Sequence, residues 1–324
     1  VLGFDWHSSG LTTVLCGALK QGMAYRQRDV GVFFAGGKAM TSRKTPQEIA
    51  DHTEKYGLPD RVEELQYASR MVAKVDSAAV QDGYQIYHHF FMFTADGSWA
   101  VVQQGMNCHN GWARRYHWLS DNLASFVEEP HVAVCGGRRQ NVLNMVARES
   151  SAAREVSVFL AGERPETMMK ELRKIAALPR EKRILLQMPA DHRVPQAGKL
   201  ERTLRRLYDL GPRNYEQLLA TEEVGPATVR AFALVGEMVY GVRASYNDPV
   251  RYSFAHGGKD GHPYPVNKLD YDRSIHMLET ALRRARAGNR DKMEALRRLA
   301  LLEKGCRDEA AGNGQFIYPG GERQ

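Results

Sequence analysis

The residues of this chain best suited to chemistry gather around His88, His89, Gln103 and Gln104, polar side chains set in two apolar runs that flank Asp96-Gly97. Imidazoles act as general acids and bases near neutral pH, and neither they nor amides are stable in an apolar sheet without partners. If Asp96-Gly97 forms a two-residue hairpin turn, Ala95 faces Ser98, and counting outward sets His89 opposite Gln104 and Phe90 opposite Gln103. A helix precedes the hairpin. It is read from Tyr67 to Asp82 on the spacing of Val72, Val75 and Ala79, and its polar stripe presents Arg70, Lys74, Ser77 and Gln81. Before it, a strand from Val1 to Trp6 carries Asp5 and leads into His7, at the strand end where α/β sheets collect ligands. One cleft is therefore expected to gather Asp5, His7, Lys74, Gln81, His89 and Gln104 as catalytic residues. Asp5 and Asp76 are the candidate ligands for Mg²⁺ or Mn²⁺. The alternative is that the histidines and glutamines satisfy one another inside the sheet.

A second chemistry is the binding of phosphate. The run from Tyr215 to Gly241 reads as two short amphipathic helices around the turn Val224-Gly225-Pro226, with Pro226 opening the second helix where its missing N–H costs nothing. Backbone amides at such a helix start can hold one phosphate of a nucleic-acid backbone without reading its sequence. The segment resembles the DNA-binding helix-hairpin-helix of repair nucleases, glycosylases and ligases, with Val224, Gly225, Ala227, Thr228 and Arg230 at the contact positions. The first of the two usual hairpin glycines is Glu223 here. Further basic candidates for nucleic acid are Lys38, Arg43 and Lys44 after a glycine-rich strand end, Arg114 and Arg115 in an aromatic stretch, and Lys259 in a glycine- and histidine-rich loop. Thr45, Pro46 and Glu48 predict a helix opening on a capping box.

Elements that must position these groups follow from composition and pattern. With 324 residues, 43% of them hydrophobic, the chain can bury about two cores. A net charge of +7 and a pI near 9.2 favour an acidic partner such as nucleic acid, and an acidic membrane surface would also qualify on charge alone. No run approaches the ~18 apolar residues of a membrane span. Cys16, Cys108, Cys135 and Cys306 form no CxxC pair, so neither a disulfide framework nor a structural zinc site is indicated, and a cytoplasmic protein is expected. The sequence opens inside a strand pattern, from which an upstream segment is expected. The fold expected is an α/β or α+β domain with a mixed sheet over residues 1–178, a proline-rich linker over 179–198, and an all-α DNA-binding domain over 199–304. That last domain carries the helix-hairpin-helix at 215–241, and a disordered tail follows over 305–324.

The runs GFDWHSSGLTTVLCGALK, SRKTP, ASRMVAKVDSAAVQDGYQIYHHFF, WAVVQQGMN, ARRYHWLSD, SFVEEPH and RYSFAHGGKDGHPYPV together resemble the bacterial and archaeal family catalogued as domain of unknown function 763. That resemblance implies no activity. Where such sequences often have a lysine after the hairpin Gly-Pro, this chain has Ala227. Two functions are expected from the residues: a DNA-processing or repair enzyme of the nuclease or phosphodiesterase type, or a non-catalytic DNA-binding or scaffold protein. Metal nucleases place a carboxylate and a lysine on a strand where this chain has Gln103-Gln104-Gly105, which favours the binder; the clustered His and Asp favour the enzyme. A hairpin glycosylase, with Asp248 as its acidic residue, is the third reading.

Overall fold

A computed structural model describes residues 9–108, 111–121, 123–140, 142–178 and 197–251, with isolated positions beyond. Contacts divide the chain into two compact units, Leu2–Ser253 and Phe254–Gln324, the latter joined by Val1 and lying almost wholly outside the described residues. Asp5, His7, Lys259, residues 179–196 of the expected linker, the expected helical domain beyond residue 251 save isolated positions, and the tail therefore fall outside the described residues.

The first unit opens with α1 (Ser9–Gly22) and the short α2 (Gln27–Val30), then β1 (Val32–Lys38), α3 (Met40–Arg43), α4 (Thr45–Tyr56) and α5 (Val62–Lys74). A π-helical turn, Val75–Ala79, leads from α5 into β2 (Val80–Gln81). Strands β3 (Gln85–Thr94), β4 (Trp99–Met106), β5 (Ala113–Leu119) and β6 (Ala133–Cys135) follow, and β7 (Leu143–Asn144) pairs with β2. Helices α6 (Ser151–Ala161), α7 (Pro165–Ala177), α8 (Ala197–Leu210), α9 (Tyr215–Ala220) and α10 (Pro226–Tyr240) complete it.

The main sheet has five strands in the order β1-β3-β4-β5-β6, and every pair is antiparallel, where a mixed sheet was expected. Alternation along each strand divides its side chains between two faces. One face carries Phe33, Phe91, Phe93, Trp99, Val101, Tyr116 and Trp118, which form a single buried cluster with Ile49 of α4 and with Leu65, Met71 and Val72 of α5. The same cluster runs on through Leu160, Leu172, Leu204, Leu218 and Phe232 of the later helices. The hairpin helices thus share the sheet's core instead of standing apart as a second domain beyond residue 178. The opposite face is smaller: Phe34 and Phe90 meet Cys16 of α1.

The β3–β4 turn shifts the expected register by one residue. Thr94 and Ser98 close it, so Ala95, Asp96 and Gly97 make a three-residue loop, with Gly97 in the left-handed region at φ 91° and the Asp96 carboxylate accepting from the Ser98 amide. His89 therefore pairs with Gln103, and His88 with Gln104. A second correction concerns α4. Thr45 donates its hydroxyl to the Ser42 carbonyl and makes no capping box, while Glu48 reaches back to accept from the Gly36 amide and the Lys20 ammonium, both at 2.6 Å.

Candidate nucleic-acid interface

Helix α9 is started by Asn214, whose side chain accepts from the Gln217 amide at 2.8 Å, and it ends where Glu222 and Glu223 begin the connection to α10. Glu223 sits at φ 68°, a conformation that glycine adopts without strain and an L side chain does not. Gly225, by contrast, is extended, and space is open around it for an approaching group. Pro226 then opens α10 at its first turn. Among the described residues, the amides of Gly225, Ala227 and Thr228 donate to no acceptor. Pro226 and Ala227 are exposed, so these donors lie at the surface end of a helix whose dipole is positive there.

The carbonyls of the same turn are held from behind. The Lys74 ammonium donates to the carbonyls of Val224 at 2.5 Å and Thr221 at 3.2 Å. Gln81 donates to the Pro226 carbonyl at 3.0 Å and accepts from Arg230 at 2.8 Å. Higher on α5, the Tyr67 hydroxyl donates to Glu216 at 2.6 Å. Lys74 and Gln81, expected in a catalytic cleft, are therefore braces of the hairpin, and burial pushes the Lys74 ammonium below its ordinary value. Val224 and Thr228 are buried, so their contribution to a ligand is confined to the backbone.

Among the described residues, those expected in one catalytic cleft do not come together. His89 and Gln104 fall on opposite faces of the sheet because of the register shift, and each is buried. His89 lies in a closed chain of hydrogen bonds: its Nδ1 meets the Gln103 carbonyl oxygen at 2.7 Å, its Nε2 meets the Ser69 hydroxyl at 2.9 Å, and Gln103 donates to Asp76. Burial lowers the His89 pKa, an effect opposed by its bond to Gln103. Asp76 takes the Trp118 indole N–H at 3.0 Å and His131 at 2.5 Å as well, leaving it wholly buried and occupied by protein donors rather than open to a metal. Among the described residues no three His, Cys, Asp or Glu side chains stand where they could share a metal ion.

The basic candidates separate in the same way. Lys38, Arg43 and Lys44 are exposed. Arg114 is fully buried: it donates to Asp82 at 2.9 Å, to both oxygens of Asp248 at 3.0 and 2.8 Å and to the Gly137 carbonyl at 2.6 Å, over the ring of Tyr84. Its neighbour Arg115 is buried on the other face and donates to Thr12 at 3.2 Å. Neither can meet a phosphate backbone from there. Asp82 also accepts from Tyr116 at 2.6 Å; burial raises its pKa, and Arg114 opposes that rise. Asp248, the acidic residue of the glycosylase reading, is thus a structural partner of Arg114 and of the Arg139 amide at 2.5 Å. The sequence did contain a signal for this buried strand, since Arg114, Tyr116 and Trp118 alternate along ARRYHWL as one face of a strand does.

The family model described as protein of unknown function DUF763 matches residues 1–266. The chain belongs to that family. No curated protein and no solved structure gives a match. The DUF763 match spans α9 and α10, so the braced turn lies inside the family's own region. No helix of the described residues is long and apolar enough to cross a membrane.

Proposed function

We propose that this protein binds DNA through its phosphate backbone, with the turn between α9 and α10 as the grip, in DNA processing or repair. The observation that carries the reading is the row of unpartnered amides at Gly225, Ala227 and Thr228, which opens α10 at the surface. Lys74 and Gln81 support it by fixing the carbonyl side of the turn, so that the amide side faces outward without rearrangement. The net charge of +7 supplies long-range attraction to a polyanion. The scattering of His89, Gln104, Lys74 and Gln81 favours a binding protein over a phosphodiesterase centred on those residues.

Backbone binding releases counterions, so affinity for duplex DNA should fall steeply as salt rises, with a log–log slope of about −0.9 per phosphate engaged. The double change Gly225→Ala and Pro226→Glu should weaken binding to all sequences alike and make the slope shallower. Affinity indifferent to both salt and the double change refutes the proposal. A cleavage assay on single-stranded, double-stranded and branched DNA, with and without Mg²⁺ or Mn²⁺, tests the enzymatic alternative. Cleavage that disappears in a folded His89→Ala variant would restore it.

A further inference from the structure

Helix α8 buries Leu200, Leu204 and Leu207 in one stripe at three- and four-residue spacing. With successive residues about 100° apart around the axis, Arg205 and Arg206 leave that stripe on different sides. Arg205 turns to α7, where its guanidinium stands 3.4 Å from Glu166, and to Glu201 of its own helix at 3.6 Å. Arg206 turns to the α9–α10 connection and donates to the Glu222 carboxylate at 2.6 Å. An arginine from outside the hairpin is thus tied to the hairpin's own turn.

A carboxylate is out of place there. Glu222 lies three residues before Gly225, so a phosphate drawn to the amides of Gly225, Ala227 and Thr228 feels its repulsion. Its closeness to the turn is felt at Lys74 as well: burial lowers that ammonium's pKa, and Glu222 opposes the fall. Among the described residues Arg206 is the one hydrogen-bonding partner of the Glu222 carboxylate, and both side chains are open to water, at 42% and 76%. Such a pair contributes little to stability, because solvent screens it and two long side chains must be ordered to make it. It exchanges at small cost. A guanidinium presents the same fork of N–H groups to a phosphate as to a carboxylate, so a phosphodiester can take over the partner that Glu222 holds.

We propose that Arg206 is the side-chain phosphate ligand of the hairpin grip and that Glu222 is an internal stand-in for phosphate, occupying the guanidinium until DNA displaces it. This rests on the reading of the α9–α10 turn as a DNA grip, and it adds regulation to that grip. The competing carboxylate lowers the fraction of protein ready to bind, so affinity is reduced by that fraction while the number of phosphates held is unchanged. Release is eased in the same way, since Arg206 returns to a waiting partner. Glu222 therefore sets the strength of binding without touching DNA.

Fluorescence-anisotropy titration of a labelled DNA duplex with the intact chain, repeated over a salt series, tests the exchange. Arg206→Ala should weaken binding about tenfold and make the log–log salt slope shallower by about one, as the loss of one charge-assisted phosphate contact does. Arg205→Ala removes the same charge from the neighbouring residue and should leave the slope as it is. Glu222→Gln should tighten binding about two- to fivefold at an unchanged slope, because Arg206 already holds phosphate in the wild-type complex. If instead Arg206 stays on Glu222 in the complex, Arg206→Ala leaves the slope unaltered and Glu222→Gln steepens it by about one, the freed arginine adding a contact. That result overturns the proposal, and so does an equal loss in Arg205→Ala and Arg206→Ala. Each of these surface variants should melt within about 4 °C of wild type. Gly225→Ala with Pro226→Glu tells the two readings apart. Binding that ignores this change removes the grip and the exchange with it, whereas binding that needs the turn but ignores Arg206→Ala leaves the grip standing and refutes the exchange alone.

Discussion

Replacing Asp248 separates a structural latch from a catalytic acid. Its carboxylate accepts two N–H groups of Arg114, the Arg139 amide and, at 2.9 Å, the Val250 amide, with a side chain only 2% exposed. Removing one partner of a buried ion pair costs about 3–5 kcal/mol when it leaves the other charge alone. Arg114 keeps Asp82, so the lower end applies, and Asp248→Ala should cost about 3 kcal/mol. Asp248→Asn retains one acceptor oxygen but turns an NH₂ towards donors, for a loss of about 2 kcal/mol. In a unit of this size each kcal/mol moves the melting temperature by roughly 2–4 °C, so Asp248→Ala should melt roughly 6–12 °C lower. Denaturant unfolding should give the same ranking. A double-mutant cycle with Arg114→Met should show a coupling of about 1–3 kcal/mol, because the two changes remove the same pair. An Asp248→Asn protein with unaltered stability would refute the latch. If that protein had also lost a DNA-cleaving activity, the acid would belong to a catalytic site after all.

The remaining predictions concern backbone conformation and pH. Glu223→Gly should stabilise the protein by about 1 kcal/mol in urea unfolding, because it relieves a left-handed residue. The same change should tighten DNA binding about two- to fivefold by removing a negative charge near the start of α10. Gly36→Ala should cost more than about 2 kcal/mol, measured in the same way, since φ is 89° there and a Cβ would lie 2.2 Å from the His89 carbonyl oxygen. For pH, the folded-state pKa of His88 lies below its ordinary value of 6.5, so the unfolded chain binds more protons between that value and about 4. Stability should therefore fall as pH drops through this window, by up to about 1.4 kcal/mol per unit for this one group. The difference in unfolding free energy between wild type and His88→Phe, measured at pH 7, 6 and 5, isolates its share; a constant difference would mean that His88 does not titrate this way.

The helices were legible because their signals are local. Apolar spacing placed α9 and α10 inside the run from Tyr215 to Gly241, and Pro226 marked the start of α10. The faces of the sheet were not legible, and the cause is a single residue. Asp96-Gly97 is a strong two-residue turn signal, yet the loop takes Ala95 as well, and a one-residue slip carries every side chain of a strand to the other face. That slip put His89 and Gln104 together in expectation and apart in the fold. Lys74 and Gln81 were expected on one stripe of a helix running to Asp82, but α5 ends at Lys74 and Gln81 lies on β2 beyond the π-helical turn; their partners Val224 and Arg230 lie 150 and 149 residues away in sequence, a distance over which no periodicity carries information. Arg114 and Arg115 read as a solvent-facing basic pair because the partners that bury them, Asp82 and Asp248 for Arg114 and Thr12 for Arg115, are remote from local pattern.

The π-helical turn Val75–Ala79 lies between Lys74 and Gln81, the two braces of the hairpin, and holds Asp76, which is tied to β4, β5 and His131. It acts as a spacer of fixed length, because both outer residues and the inner one must point correctly at once. Deleting one residue from it would let the helix close as an ordinary α-helix, turning everything downstream by about 100°. Lys74 would keep its hold on Val224, while Gln81 would swing off Pro226 and the following strand would enter the sheet rotated. In this family, insertions and deletions should therefore be tolerated in the surface loops and excluded from these five residues, so that the segment's length, more than its composition, records how the hairpin is aimed.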